Sequence, residues 1–488
     1  MVRGRRFTSL AVSMVLAAAL AVTIPAASAA PAAAATVAPG APGAPSYFDL
    51  ARKDCLGTAA GRGSKVWYTV AGGVLSDVYE PTIDNTDVST LQYIVTDGST
   101  FTDLQARDMT YTVAADPTGM ACTVTSTDAR RGFRLVTTYI TDPASDTVLM
   151  STRLQALPGA DANLGRLHLY ARLDAHVNGN GGGGSDNAGA NSGVVDSSGV
   201  PVVFSTNTVT NAVNRAYAVP TYMALAATPA RAASVGYAGT ASDGLTQLDS
   251  AHALTPYTSA PGGHVVATED VTPGGGHQVT LALGFGRTQA QSVSVAKASL
   301  AHPFGLTAAS YLRGWVSYDA SLRTPPGNLR GSYYLSANVL KASEDKTFPG
   351  AIVASLASPW GQSVQAGVNS GGKPSYFGSY REVFARDLYE AFTGLLADGD
   401  IGTARAATRF LFDRQQLPDG SMPRNSLLNG KAAPDTGGTQ LDEAAYPILM
   451  AYLAGLGGDA ALWKGHIEPA AGRTWPAQSV ASPLRPAW

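Results

Sequence analysis

Lys65-Val66-Trp67-Tyr68-Thr69-Val70, six residues rich in β-formers and closed by Gly72-Gly73, sets the reading of the first half of the chain. Leu91-Gln92-Tyr93-Ile94-Val95 repeats the pattern and ends at Asp97-Gly98, a hairpin-type turn signal. Thr110-Tyr111-Thr112-Val113, Phe133-Arg134-Leu135-Val136-Thr137-Thr138 and His168-Leu169-Tyr170-Ala171 continue the series. Val279, Leu281, Leu283 and Phe285 alternate with smaller residues, as a strand with one buried face does. Many short strands punctuated by Gly, Asn, Asp and Pro, with no βαβ rhythm, predict a large antiparallel β-sandwich over residues 46–304. The glycine run 178–187 opens no helix and is followed by no Lys-Ser/Thr. It reads as a flexible loop rather than a phosphate cradle.

After Leu306 the period changes. Tyr311, Leu312 and Trp315 begin a segment of helical spacing, and Tyr333, Tyr334, Ala337, Leu340 and Lys341 suit a helix that Pro349-Gly350 closes. Phe384, Leu388, Phe392 and Leu395 fall on one face of another helix. Residues 404–415, 441–453 and 460–470 complete the helical series, with Pro447 expected to kink the second of these or mark its start. The second half, 305–471, is therefore predicted to be mostly helical, with a Pro-rich, non-helical tail over 472–488.

Working outward to the termini, Arg3, Arg5 and Arg6 precede an apolar run from Leu10 to Val22, and Ala27-Ser28-Ala29 offers a small-x-small cleavage site. This describes a secretory signal peptide over 1–29, followed by a flexible Ala/Pro/Gly-rich leader over 30–45. No second apolar run is long enough to span a bilayer, so a secreted, extracellular chain without a membrane partner is expected after cleavage. The 488 residues carry a formal charge of −2, and 14% are charged. That balance lacks the clustered basic face nucleic acid requires. The hydrophobic share of 45% excludes wholesale disorder. Cys55 and Cys122 can form one disulfide or remain two buried thiols, and separation in sequence does not choose between them. Asp84-Asn85-Thr86-Asp87 is dense in hard oxygen ligands, yet turns built on Asx side chains explain it equally, and no metal or cofactor is expected.

The chemistry concentrates in Tyr380-Arg381-Glu382-Val383-Phe384-Ala385-Arg386-Asp387, which combines two aromatics with an adjacent cation and carboxylate. A pyranose offers hydroxyls to Arg and Asp and an apolar ring face to aromatics. The same string also contains the i,i+4 pairs Glu382–Arg386 and Arg386–Glu390, which suit a solvated helix face, and spacing leaves both readings open. Asp413, Asp419, Asp442, Glu443 and Glu468 lie nearby, but a glycosidase needs two carboxyls flanking one bond, and spacing selects no pair. No Gly-x-Ser-x-Gly elbow accompanies the histidines.

Taken together, Tyr47-Phe48-Asp49-Leu50-Ala51-Arg52-Lys53-Asp54, the 65–70 strand and Ser76-Asp77-Val78-Tyr79-Glu80-Pro81-Thr82 resemble the N-terminal domain of bacterial glucodextranases and glucoamylases, the family 15 glycoside hydrolases. Glu344-Asp345-Lys346, Pro349-Gly350-Ala351, Ser358-Pro359-Trp360-Gly361, Phe384-Ala385-Arg386-Asp387-Leu388-Tyr389, Pro418-Asp419-Gly420-Ser421 and Gln440-Leu441-Asp442-Glu443 follow in that family's order. The resemblance implies a super-β-sandwich followed by an (α/α)6 barrel, here incomplete, and an exo-acting enzyme that releases glucose from the non-reducing ends of dextran- or starch-like α-glucans with inversion. It implies that Arg386 and Asp387 bind the terminal glucose, with Tyr380 and Phe384 in the same subsite, and that Trp360 and Asp442 shape the rim or brace helices. The family's two catalytic glutamates have no counterpart here, because the likeness stops near Ala471. The chain then reads as truncated or frameshifted within the barrel, with no catalytic residue to assign. The alternative function is a non-catalytic remnant whose sandwich persists as a structural or carbohydrate-binding module.

Overall fold

The computed structural model describes residues 36–44, 53–160, 163–179, 191–208, 216–356, 367–368, 374–375, 380–433 and 440–474. The segment expected to be a signal peptide, most of the 178–187 run, the Ser358-Pro359-Trp360-Gly361 string and the tail from residue 475 lie outside them.

The alternating sequences of the first half become two large antiparallel sheets. One runs in the order Cys55–Thr58, Trp67–Ala71, Val74–Tyr79, Val88–Thr96, His168–Ala175, Val265–Asp270 and Ala233–Tyr237, with Thr102–Leu104 also paired to Val88–Thr96. The other runs Ser259–Gly263, Asn191–Val195, Pro201–Ser205, Thr221–Thr228, Gln278–Gly286, Thr147–Ala156, Phe133–Thr141, Cys122–Asp128 and Thr110–Ala115. Strict alternation decides which face is buried: along Cys122–Asp128 every second residue is inside. Tyr68, Tyr93, Tyr139, Leu281, Leu283 and Phe285 meet in the core between the sheets. Two of the three phenols bring hydroxyls that find partners there. Tyr68 donates to the Tyr139 carbonyl at 2.8 Å, and Tyr93 shares a 2.7 Å bond with Thr152. Cys55 and Cys122 form a disulfide that joins the two sheets.

Two boundaries differ from the sequence reading. Residues 36–44, expected in the flexible leader, are held on the sandwich. Val37 bridges to Ser259, Ala38 is buried, and the His264 backbone N–H donates to the Pro42 carbonyl at 2.7 Å. The Phe304–Ser321 helix, expected to open the helical region, belongs to the sandwich too. Tyr311 donates to the Met120 carbonyl at 2.9 Å and the Trp315 indole to the Thr58 carbonyl at 2.8 Å. Beside it the Gln289–Leu300 helix covers the outer face of the second sheet through Val293 and Ala296, against Ala224, Ala226 and Ala282. Approach is close enough that a Cβ on Gly284 would lie 2.5 Å from the Ala296 backbone nitrogen, so only glycine fits there.

Beyond residue 322 the α-helices among the described residues are Arg330–Ala342, Ala385–Asp398, Ile401–Phe410, Leu441–Leu453 and a last one that winds from Ala460 to Thr474. The predicted row Leu388, Phe392 and Leu395 is fully inside, packed with Ala404, Ala407, Phe410 and Met450. Phe384 stands just before its helix, and Leu441–Leu453 runs through Pro447 rather than starting there. Trp67, Tyr79 and Ile83 of the sandwich join this second core, so the two regions share buried surface. Polar pins cross the same junction. The Trp67 indole donates to the Ala342 carbonyl at 2.8 Å, and Ile83 N–H donates to the Asp345 carboxyl at 2.9 Å. Lys346 Nζ donates to Thr58 Oγ1 at 2.6 Å and to the Ser64 carbonyl at 2.7 Å, and burial pushes its ammonium down to about 7.

Candidate functional site

The site forms where two helices begin side by side. Val383–Phe384 pairs with Asn425–Ser426 in a short antiparallel ribbon that delivers the chain into the Ala385–Asp398 helix. The first N–H groups of that helix have no intrahelical acceptor, and Phe384 at the cap position supplies no side-chain oxygen. The acceptor comes instead from the neighbouring Leu441–Leu453 helix: the backbone N–H of Arg386 donates to Glu443 Oε2 at 3.3 Å. Glu443 is wholly buried. Burial, reinforced by the charge of Asp442, raises its carboxyl to about 7 against the pull of Arg386.

The Arg386 guanidinium lies over this cap. Its Nη1 is 3.1 Å from Asp442 Oδ2, 3.5 Å from Gln440 Oε1 and 3.8 Å from Glu443 Oε1, while the side chain is 46% exposed. Among the described residues its ionic partners are Asp442 and Glu443, not Glu382 or Glu390. Glu382 precedes the helix, is buried, and accepts from the Asn425 side-chain amide, so the i,i+4 geometry is not built. Asp442 thus links the starts of the two helices through Arg386.

Asp387 turns the other way, because consecutive helical residues point about 100° apart. It lines a cavity of about 440 Å³ with Lys53, Ser343, Ser355, Leu356 and Glu390, between the sandwich edge and two helices. The Tyr380 ring stacks on Phe384 with centroids 6.0 Å apart, and Phe384 is 9% exposed. All four predicted residues therefore gather at the start of one helix, with the cation and the carboxylate on different sides. The role of Glu443 was not legible from spacing. Its only signal was its place in the Gln440-Leu441-Asp442-Glu443 string.

The Asp84–Asp87 loop is an Asx network. Asn85 Nδ2 donates to the Glu80 carbonyl at 2.6 Å, Asn178 N–H to Asp87 Oδ1 at 2.8 Å, and Tyr217 Oη to Asp84 Oδ2 at 2.5 Å. Donors already face these oxygens. Among the described residues no group of three or more His, Cys, Asp or Glu is placed to hold a metal ion.

Residues 38–320 match the family described as Glucodextranase, domain N. The chain belongs to that family. The match ends at the Phe304–Ser321 helix, in keeping with the contacts that tie this helix to the sandwich. Over 404 residues the glucodextranase-type chain is 30% identical to a glucoamylase of Clostridium sp. (strain G0005), covering 82% of this chain and 53% of the relative. A bacterial glucoamylase solved in complex with acarbose superposes with a TM-score of 0.75 at 27% identity, over 90% of this chain and 60% of that one. The chain thus spans a little over half the length of these relatives.

Proposed function

We propose that this chain forms the sandwich and the glucose-end binding floor of a secreted, exo-acting α-glucan hydrolase of the glucodextranase and glucoamylase type. The observation that carries the reading is the start of the Ala385–Asp398 helix, where Arg386 and Asp387 present charged hydrogen-bonding groups on its two sides and Tyr380 stacks on Phe384. The likeness to an acarbose-bound glucoamylase supports it. In this reading residues 1–29 direct export, and the helices from Arg330 onward are the first part of an (α/α)6 barrel. An inverting glycosidase needs one carboxyl to protonate the leaving oxygen and a second to activate water, roughly 6.5–9.5 Å apart. We assign neither role within residues 1–488, so the chain is expected to bind glucan ends without cleaving them. A second reading, a non-catalytic carbohydrate-binding or structural module, is favoured by the separate core between the two sheets.

Calorimetric titration with maltotriose and isomaltotriose, alongside a glucose-release assay, tests this. Binding that Asp387→Asn weakens, without glucose release, is expected. Glucose release would show that a catalytic carboxyl pair lies within the chain. Absence of binding to either sugar would remove the pocket assignment.

A further inference from the structure

A second candidate site lies at one end of the sandwich. Along the Val265–Asp270 strand, Val265 and Ala267 face the core between the sheets, as does Val271 just beyond it. Strand alternation puts Glu269 in that same inward row. It is 1% exposed, and its cross-strand neighbours are Ala171 and Ala233, which carry no donor. Glu269 Oε2 is buried with no hydrogen-bond partner among the described residues. Leaving a buried carboxyl unpaired costs on the order of a few kcal/mol, and a valine would continue the row without that cost.

Glu269 lines a cavity of about 400 Å³. The cavity sits where the chain leaves Thr221–Thr228 in one sheet and crosses to Ala233–Tyr237 in the other. Ser198, Thr228, Arg231 and Lys297 also line it, and Lys297 Nζ donates to Ser198 Oγ at 2.6 Å. The volume is within the usual range for small-molecule sites. Charge selects the class of ligand. Lys297 and Arg231 oppose a cation, and Glu269, set between Ala171 and Ala233, offers a ligand hydrogen bonds rather than a full charge. A neutral molecule with several hydroxyls suits both, donating to or accepting from the carboxyl while accepting from the ammonium. Burial, with a smaller contribution from Asp270, raises the Glu269 carboxyl to about 8, so at neutral pH it can both donate and accept.

We infer that the cavity beneath the crossing between the two sheets is a binding site for a single sugar residue or another small neutral polyol, anchored by Glu269. It shares no residue with the Arg386 site and stands whether or not that site binds glucan.

The test is a glucose titration of the full chain carrying Arg386→Ala and Asp387→Asn, so that the other site is weakened through both of its charged groups. Glu269→Leu is expected to weaken binding at least tenfold and Lys297→Ala, at the exposed rim, severalfold, while Glu269→Gln, which keeps an acceptor and a donor, stays within a few-fold. Glu269→Leu should melt no lower than its parent, since an apolar group replaces an unpaired polar one. Crystals soaked in glucose provide a readout independent of any variant: a sugar hydroxyl within hydrogen-bonding distance of Glu269 supports the site. Ordered water alone in the cavity overturns it, as does unchanged affinity in Glu269→Leu.

Discussion

Arg386→Ala separates a binding role from a structural one. The guanidinium is 46% exposed and its nearest partner, Asp442, is 38% exposed. An ion pair this open contributes about 0–1 kcal/mol. Its loss would therefore barely move stability, were it not for Glu443 beneath it. Arg386 is the charge that offsets burial at that carboxyl, so removing it lifts Glu443 above about 7. A carboxyl raised in the folded state binds its proton more tightly there than in the unfolded chain. Its contribution is most favourable near and below the ordinary 4.5 and declines as pH rises through about 7. The stability loss in Arg386→Ala should accordingly be small at pH 5.5 and larger at pH 8. Sugar affinity should behave differently. Each hydrogen bond from a charged group is worth about 1.5–3 kcal/mol, so roughly 10- to 150-fold of maltotriose affinity should vanish at both pH values. Calorimetry and thermal melting at the two pH values provide the comparison. A large drop in melting temperature already at pH 5.5 would make Arg386 a structural pin, and unchanged affinity would place it outside the pocket.

Three further outcomes are expected. Trp315→Ala should cost about 3–5 kcal/mol in denaturant unfolding, because it empties a fully buried site and orphans the Thr58 carbonyl, whereas Trp463→Ala, at a 51% exposed position, should cost little. His264 is pushed down by burial, but the Asp174 carboxylate 2.6 Å away and the Ala44 carbonyl outweigh this and hold it above 6.5. Its contribution is full below pH 6.5 and fades as pH rises through the elevated value, so amide exchange in residues 36–44, corrected for intrinsic rate, should accelerate between pH 6 and 8.5 and lose that dependence in His264→Gln. Replacing both Cys55 and Cys122 by serine reopens a loop with a sequence separation of 67 and should lower unfolding stability by about 4 kcal/mol; an unchanged midpoint would mean that the unfolded chain gains no freedom from the cut.

What the sequence shows and what it hides divide along local and non-local lines. The helical row Leu388, Phe392 and Leu395 was legible because side-chain period reports which face is buried, and the strand at Trp67, inside on both faces, because its β-formers are closed by a glycine pair. Period does not name the partner that buries it. Tyr311 and Trp315 read correctly as helical, yet they pack on the sandwich through carbonyls of Met120 and Thr58, far back in the chain. Low-complexity composition likewise hid the docking of residues 36–44, which rests on Ser259 and His264. At the site the four residues 380, 384, 386 and 387 were found together, while spacing pointed Arg386 at Glu382 and Glu390. Its real partners sit 56 and 57 positions onward, and only the pairing of two helix starts brings them into reach. Glu269 was missed for a related reason: Val265, Ala267 and Val271 mark an inward row, but a glutamate within it reads as a break in the pattern until its alanine neighbours on the flanking strands are known.

The cap that Glu443 lends to a helix not its own has an evolutionary corollary. The ribbon at Val383–Phe384 and the carboxylate of Glu443 fix the head of the Ala385–Asp398 helix from outside, and residues 427–433 hold that ribbon in turn, with Ala432 bridged to Ser426 and Ala433 N–H donating to the Asn425 carbonyl. Leu427, Leu428 and Ala433 are buried, so a change of length there would shift the ribbon and with it the bearing of Arg386. Related chains are therefore expected to keep both the length of that turn and the paired helix heads.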